Sequence, residues 1–452
     1  MRSRRAKLIA LPLVLGTFLF CSCAASVKHY PHINQCLLKE DYDTACKLVH
    51  KSKKEYPKRN AALYYLDEGI IFHLAGRYPE SNESFFRAES IMDELYTKSL
   101  SKAAASFLIS DNTIPYRGED FERAMVNLFM ALNYAALGAW EDSLVEARKV
   151  DNKLTVINAT YDEDKQNVYK EDAFIRFLMG ILYEADGELN DAFISYRKAE
   201  EIYRTDYLPN YGVRAPDFLI ENLLAAAEGM GFYQEMAEIQ SEYPQVTPMD
   251  LVEKRGMAEV LFIHYNGIGP EKVEDSFAIP MPDGYVMKMA YPRFVRKSFQ
   301  ISQGEITLRS QQEGPWARFT TALMEDIGAI ATTNLDNRIN RIKAKAIVRA
   351  TTKYLASKAA EKAATDEKGE WAGLFVKIAA NIAAVATEQA DVRHWRLLPA
   401  EIRVGRKVIP PGEYSGEIDF VDGRGAIVGS KIIEPFSVRA GEKRFFIFRT
   451  LN

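Results

Sequence analysis

Apolar residues recur every three or four positions along most of residues 27–250, and after Pro244 they fall into short runs that read as strands. In the first region the helical stretches come in pairs joined by a glycine-containing turn. Residues 173–203 show the arrangement most fully. Gly180 and Tyr183 lie on the first helix, Gly187 makes the turn, and Ala192, Tyr196 and Ala199 lie on the second. Residues 62–94 repeat it with Gly69, Phe72, Gly76, Tyr78, Ser81, Phe85 and Ala88, and a third copy has Ala131, Tyr134, Gly138, Trp140, Ser143 and Ala147. Weaker pairs are expected at 30–57, with Tyr42, Ala45 and Pro57, and at 215–244, with Gly231, Tyr233 and Pro244. A small residue lets the paired helices cross closely, and large flat residues fill the space beside the crossing. From Gly76 to Gly138 is 62 residues and from Gly138 to Gly187 is 49, so segments near 89–120 and 150–170 are expected to be insertions across one face.

The second region begins with strand-like runs at Glu259–Asn266, Ser276–Met281, Tyr285–Tyr291 and Phe299–Arg309. An Ala-rich helical texture follows from Trp316 to about Ala364, with a second helix from about Glu370 to Ala390. Strands resume at Glu401–Arg406, Tyr414–Val421, Lys431–Val438 and Arg444–Thr450. The predicted class is therefore α + β and multidomain: a helical repeat domain over 23–250, then a β-sandwich-like domain over 256–452 with a helical insertion at about 316–392. The helix Trp371–Ala386 is apolar on most sides but only sixteen residues long, short of the about 20 a membrane span needs. Burial against the first inserted helix is the expectation; contact with a membrane interface or a pore-forming segment is the sharper alternative.

The leader changes the picture. Arg2, Arg4, Arg5 and Lys7 precede thirteen uncharged residues, Leu8–Phe20, the layout of a signal peptide over 1–22. The segment Phe20-Cys21-Ser22-Cys23 resembles a bacterial lipobox, which implies lipid (palmitate-type acyl) modification of Cys23. Several acyl chains anchor a protein almost irreversibly. Ala24 follows the lipid site instead of the Asp that retains many such proteins at the inner membrane, so the implied location is the outer membrane, facing the periplasm. That compartment is oxidising, and Cys36 and Cys46 are placed symmetrically about a turn near Asp41, so a disulfide between them is expected, two buried thiols being the alternative. Without the leader the chain has 54 basic and 62 acidic residues, which argues against a nucleic-acid partner.

The helix pairs resemble tetratricopeptide (TPR-like) repeats. The resemblance implies that the inner faces of the first helices line a groove for a protein or peptide. On this chain those positions are Leu63, Leu66, Ile70 and His73, then Met125, Leu128 and Leu132, then Phe174, Phe177 and Ile181. They suit an amphipathic helix, unless the insertions fold back and fill the groove. The segments FIHYNGIGP (262–270), WRLLPAEI (395–402) and IPPGEY (409–414) make the whole chain similar to a family of uncharacterised bacterial lipoproteins that join degenerate tetratricopeptide helices to a C-terminal β module. The family carries no assigned activity. In some genomes its members neighbour genes for lipoproteins that activate peptidoglycan synthases, which implies a setting in cell-envelope assembly.

No constellation of reactive residues stands out. His29, His32 and Cys36 lack a fourth partner at metal-site spacing. His264 has no nucleophile elbow to serve. Asn266–Pro270 holds two glycines but lacks the ending of a phosphate loop. No cofactor is expected, and the reading is a non-enzymatic scaffold; the alternative is a cell-wall-directed enzyme with an unrecognised site.

Overall fold

The computed structural model describes residues 28–101, 111–161, 168–249, 251–311 and 317–451. The leader and Cys23 lie outside the described residues. The helices pair in sequence: α1 (Tyr30–Leu38) with α2 (Tyr42–Ser52), α3 (Ala61–Leu74) with α4 (Tyr78–Ser101), α5 (Asp120–Ala136) with α6 (Trp140–Ala159), α7 (Ala173–Ala185) with α8 (Leu189–Ile202), and, after a one-turn helix α9 (Leu208–Tyr211), α10 (Asp217–Gly229) with α11 (Tyr233–Glu242). Local signals set their ends. Asp41 and Asp172 cap α2 and α7 by accepting from the amides of Thr44 and Ile175, and Glu119 and Glu122 form a capping box at the start of α5. Gly76, Gly138, Gly187 and Gly231 take φ of 70°, 72°, 84° and 73°, which lets the next amide return to a carbonyl in the last turn of the helix before.

Each pair closes where the repeat pattern requires a small residue. A Cβ on Gly180 would lie 2.3 Å from the Tyr196 ring, and one on Gly69 would lie 2.5 Å from Phe85. Of the segments expected as insertions, 89–101 and 150–159 extend existing helices. α4 runs on to Ser101 and α6 to Ala159.

After a short helix α12 (Leu251–Arg255) the chain enters three sheets. The first is β10 (Lys443–Arg449), β1 (Ala258–Asn266), β7 (Glu401–Ile409) and β6 (Ala322–Glu325), in that order, with β1 and β10 parallel and the other pairs antiparallel. The second is the antiparallel sheet β5 (Ala317–Thr320), β4 (Ile301–Ser310), β8 (Gly412–Asp422) and β9 (Ile427–Val438). The third is a two-stranded ribbon, β2 (Glu271–Pro280) with β3 (Val286–Val295).

The first sheet is the middle layer of the molecule. Val260, Phe262 and Phe448 point to the second sheet and meet Ile306, Ile418 and Phe436 in a sandwich core. Leu261, Ile263, Tyr265, Ile402 and Val404 point the other way and join one continuous core with the helical array. Alternation along β1 assigns its two faces to two different neighbours, and both faces are apolar. The stretch 317–325, read from sequence as the start of a helix, is instead β5 and β6, which carry one chain from the second sheet to the edge of the first. Pairing with β4 and β7 overrides the Ala-rich helical texture there.

The insertion is an arm. α13 (Ile327–Lys368) has 42 residues, about 63 Å at 1.5 Å per residue. α14 (Glu370–Thr387) returns along it, and the ribbon packs its Met287 and Met289 against Ala346 and Ala350 of α13. Arg349 and Lys353 meet Glu388 at 2.6 and 2.7 Å where the chain leaves the arm. The expected burial of Trp371–Ala386 does not occur. On α14 only Gly373 is buried, against Thr365 of α13, and Trp371, Leu374, Phe375, Ile378 and Ile382 stand in water. Two helices on a narrow ribbon have too few neighbours to cover a helix that is apolar all round.

The cysteines also depart from expectation. Cys36 and Cys46 are both free thiols. Cys46 is buried in α2 within reach of Arg77, whereas Cys36 stays near Lys39 and Asp41 at the turn, so the symmetric spacing does not bring the sulfurs together. Burial pushes both thiols up.

Candidate functional site

The groove positions are all inside the molecule. Leu63, Leu66, Ile70 and His73 on α3, Met125, Leu128 and Leu132 on α5, and Phe174, Phe177 and Ile181 on α7 are buried. The chain's own middle sheet packs on this array, and Tyr116 and Tyr169 from the segments expected as insertions are buried in the same core. His73 is bracketed by Asn133, 2.5 Å from Nδ1, and the Tyr265 hydroxyl of β1, 2.9 Å from Nε2. Phe129 packs on Tyr265 and on Trp395, with ring centroids 5.5 and 5.6 Å away, and Trp395 also meets Phe85 at 5.7 Å. Burial lowers the His73 pKa to about 4, so the ring is neutral at physiological pH. An apolar stripe on α3, α5 and α7 and an apolar face on β1 and β7 satisfy each other.

Polar groups fasten this junction. Glu259 on β1 is held by Arg406 of β7 and Lys443 of β10; Arg406 reaches Glu221 at 3.0 Å, Lys443 reaches Glu184 at 3.2 Å, and Lys254 meets Glu184 at 2.7 Å and Asn222 at 2.9 Å. Burial alone would raise the Glu259 carboxyl, but the three surrounding cations outweigh it and hold it well below the usual range. Burial lowers Lys254 to about 8 against the pull of Glu259 and Glu184. Three carboxylates and three cations balance, so the cluster fits a structural clamp.

A second contact is a carboxyl pair. Asp172 caps α7 and accepts from the Tyr169 hydroxyl at 2.7 Å and the Ile175 amide at 2.8 Å. Glu325 of β6 bonds to Asp172 and accepts from the Tyr207 hydroxyl at 3.2 Å. Burial and the neighbouring Asp172 raise Glu325 well above the ordinary carboxyl range, so Glu325 keeps its proton and donates it to Asp172. Neither residue has solvent access. The pair has acid–base chemistry and no route for a substrate. His264 is likewise enclosed: its Nε2 lies 2.8 Å from the Thr450 hydroxyl and its ring on Phe420, and burial with Arg403 and Arg449 lowers it to about 3. His29 is occupied by the Tyr56 hydroxyl at 2.6 Å and Glu55 at 3.3 Å.

The open concave feature is a trough of about 930 Å³ at the rim of the junction. Its floor includes Arg406, Lys407 and Val408 on β7. One wall is Val213–Phe218 with Glu221, the other is Phe319 and Thr320 of β5 with Ala322 and Leu323 of β6, and Thr247–Met249 with Glu253 close one end. β6 pairs with β7 only across 402–404, because the chain crosses to the second sheet at Thr321. From Gly405 to Val408 the outer edge of β7 therefore has no hydrogen-bonded strand and no other main-chain bond among the described residues, although β5 lies against it without pairing. Such an edge offers amides and carbonyls to an extended segment. Arg214 and Lys407 are offset by Asp217 and Glu253, so the trough presents main chain and apolar walls rather than one sign of charge.

None of the trough residues was singled out from sequence. Phe319, Glu221 and Val408 meet only through long-range pairing, and no local spacing announces a strand edge left open by a chain that changes sheets.

No protein-family model and no curated protein matches the chain. Among solved structures, BtubC from P. vanneervenii is similar at 13% identity, covering 48% of this chain and 78% of that one with a TM-score of 0.34. MamA is similar at 15% identity over 48% of this chain and 88% of that one, TM-score 0.31. A Podosopora anserina putative kinesin light chain with nearly identical TPR-like repeats is similar at 12% identity over 48% and 92%, TM-score 0.32. The TPR-like character of the helical half rests on its own pairs, turn glycines and close crossings.

Proposed function

We propose that this chain is a non-enzymatic scaffold that holds an extended segment of a protein partner, lipid-anchored through Cys23 on the periplasmic face of a bacterial outer membrane and working in envelope assembly. The observation that carries it is the open edge of β7 at Gly405–Val408, set in a walled trough. Four extended residues span about 13 Å, the length of that edge, and β-strand addition draws affinity from main-chain bonds. The TPR-like array is then not the groove but the wall behind the middle sheet. The enclosed titratable clusters support the non-enzymatic reading, since each joins the two halves and is satisfied by its own neighbours. The lipobox residues Phe20–Cys23 and the apolar leader support the anchor and the location.

The test combines two variants in crosslinked envelopes. Thr320 is exposed at the trough wall, so Thr320→Arg should leave the melting temperature unchanged and remove co-purifying proteins. Cys23→Ala should abolish labelling by a fatty-acid probe. An unchanged set of captured proteins in Thr320→Arg discards the trough, and undiminished labelling in Cys23→Ala discards the anchor.

A further inference from the structure

The arm carries the largest apolar anomaly on the surface. Trp371, Leu374, Phe375, Ile378 and Ile382 follow one another at steps of three, one, three and four, on the side of α14 away from Gly373. Trp371 is 76% exposed, Phe375 70% and Ile382 62%. A contiguous apolar stripe of this kind marks an interaction site. α14 is long and apolar enough by composition to enter a membrane, and 6% of it is buried. Its single internal charge, Lys377, turns to the ribbon and bonds to Asp283.

Charge indicates what the stripe meets. The arm, taken as 271–295 with 327–387, has thirteen basic and nine acidic residues, whereas the rest of the chain has 45 and 53. From Arg338 to Lys358, α13 has seven basic residues and no acidic one, and Arg341 is exposed among them. The arm is net basic and the rest of the chain net acidic; Arg338, Arg349, Lys353 and Lys358 of that run are paired with Glu119, Glu388 and Asp283, and Lys362 and Lys368 are exposed cations farther along α13. We infer that α14 seats the arm on an anionic lipid surface, lying in the headgroup boundary with Trp371 and Phe375 inserted and the exposed Lys362 and Lys368 of α13 near the headgroups. An amphipathic helix with aromatic residues on one side and cations nearby binds in this way, and attraction to anionic lipid adds to the buried apolar area. The inference is independent of the trough, which lies outside the arm.

The test uses the unlipidated mature chain, residues 24–452, which retains every described element, and flotation with vesicles of phosphatidylcholine alone or with 40% phosphatidylglycerol. The expected result is co-flotation with the anionic vesicles, weakened when salt is raised from 0.1 to 0.5 M. Phe375→Glu with Ile382→Glu should lower it at least tenfold at an unchanged melting temperature, because both side chains are exposed. Should that double variant misfold, Trp371→Ala is the milder probe, with a weaker but still measurable loss. Equal binding by parent and variant, or no binding by the parent, overturns the inference. So does a parent dimer that the variant abolishes without lipid binding, which would make the occupant a second copy.

Discussion

Glu325 shows how one proton is tied to the junction. Its folded pKa is raised, so the stabilisation it contributes is complete below the unfolded value near 4.3 and is lost as pH rises toward the folded value. Asp67 and Glu122, raised by burial to about 7, act in the same direction. The buried histidines act oppositely. His73 at about 4 and His394 at about 3 remove stability as pH falls below the unfolded value near 6.5. Glu325→Gln keeps a donor for Asp172 and cannot ionise. Its melting temperature relative to the parent should therefore climb as pH rises above the unfolded value near 4.3. Parallel curves would mean that the pair does not share a proton across the junction.

Among the elements, the crossing of α7 and α8 offers the sharpest test. Gly180→Leu drives a side chain into the Tyr196 ring, and overpacking of this kind costs about 1–3 kcal/mol. The melting temperature should fall by a few degrees; a neutral result would refute the close crossing. This crossing was legible in advance, because Gly180 and Tyr196 lie sixteen residues apart within one local motif. The strands β1, β4, β7, β8, β9 and β10 were legible for the same reason, each being a short apolar run between turn residues. What misled was anything decided by neighbours distant in sequence. β5 and β6 looked helical until pairing claimed them, and α14 looked buried because composition does not reveal how few neighbours an arm supplies. The Cys36–Cys46 expectation failed likewise, since equal spacing about a turn does not set the direction of a side chain.

At the scale of the molecule, the stripe from Leu63 to Ile181 is buried, and the middle sheet supplies part of its cover. The residues that supply it, Tyr265, Trp395 and Ile402, follow the nearest helical groove residue by more than eighty positions, and no periodicity links the two sets. The described halves share one core, so heat should unfold them in one transition followed alike by a tryptophan signal and by circular dichroism. Residues 24–249 expressed alone should aggregate or bind a hydrophobic dye, because the array would then expose Leu66, Leu128 and Phe177. A soluble, monomeric fragment with native helix content would show that the array does not depend on the sheet.

The parallel pairing of β10 with β1 also sets an order in time. β1 is made before its outer neighbour, Lys443–Arg449, which is the last of the described strands to be made. Between the emergence of Ile181 and of Arg449 lie 268 residues, which at about 5–20 residues per second is on the order of tens of seconds. For that interval the nascent array carries an unsatisfied apolar face, and the sheet that will cover it lacks an edge. Loss of β10 would therefore act on both cores at once, through the middle sheet that they share.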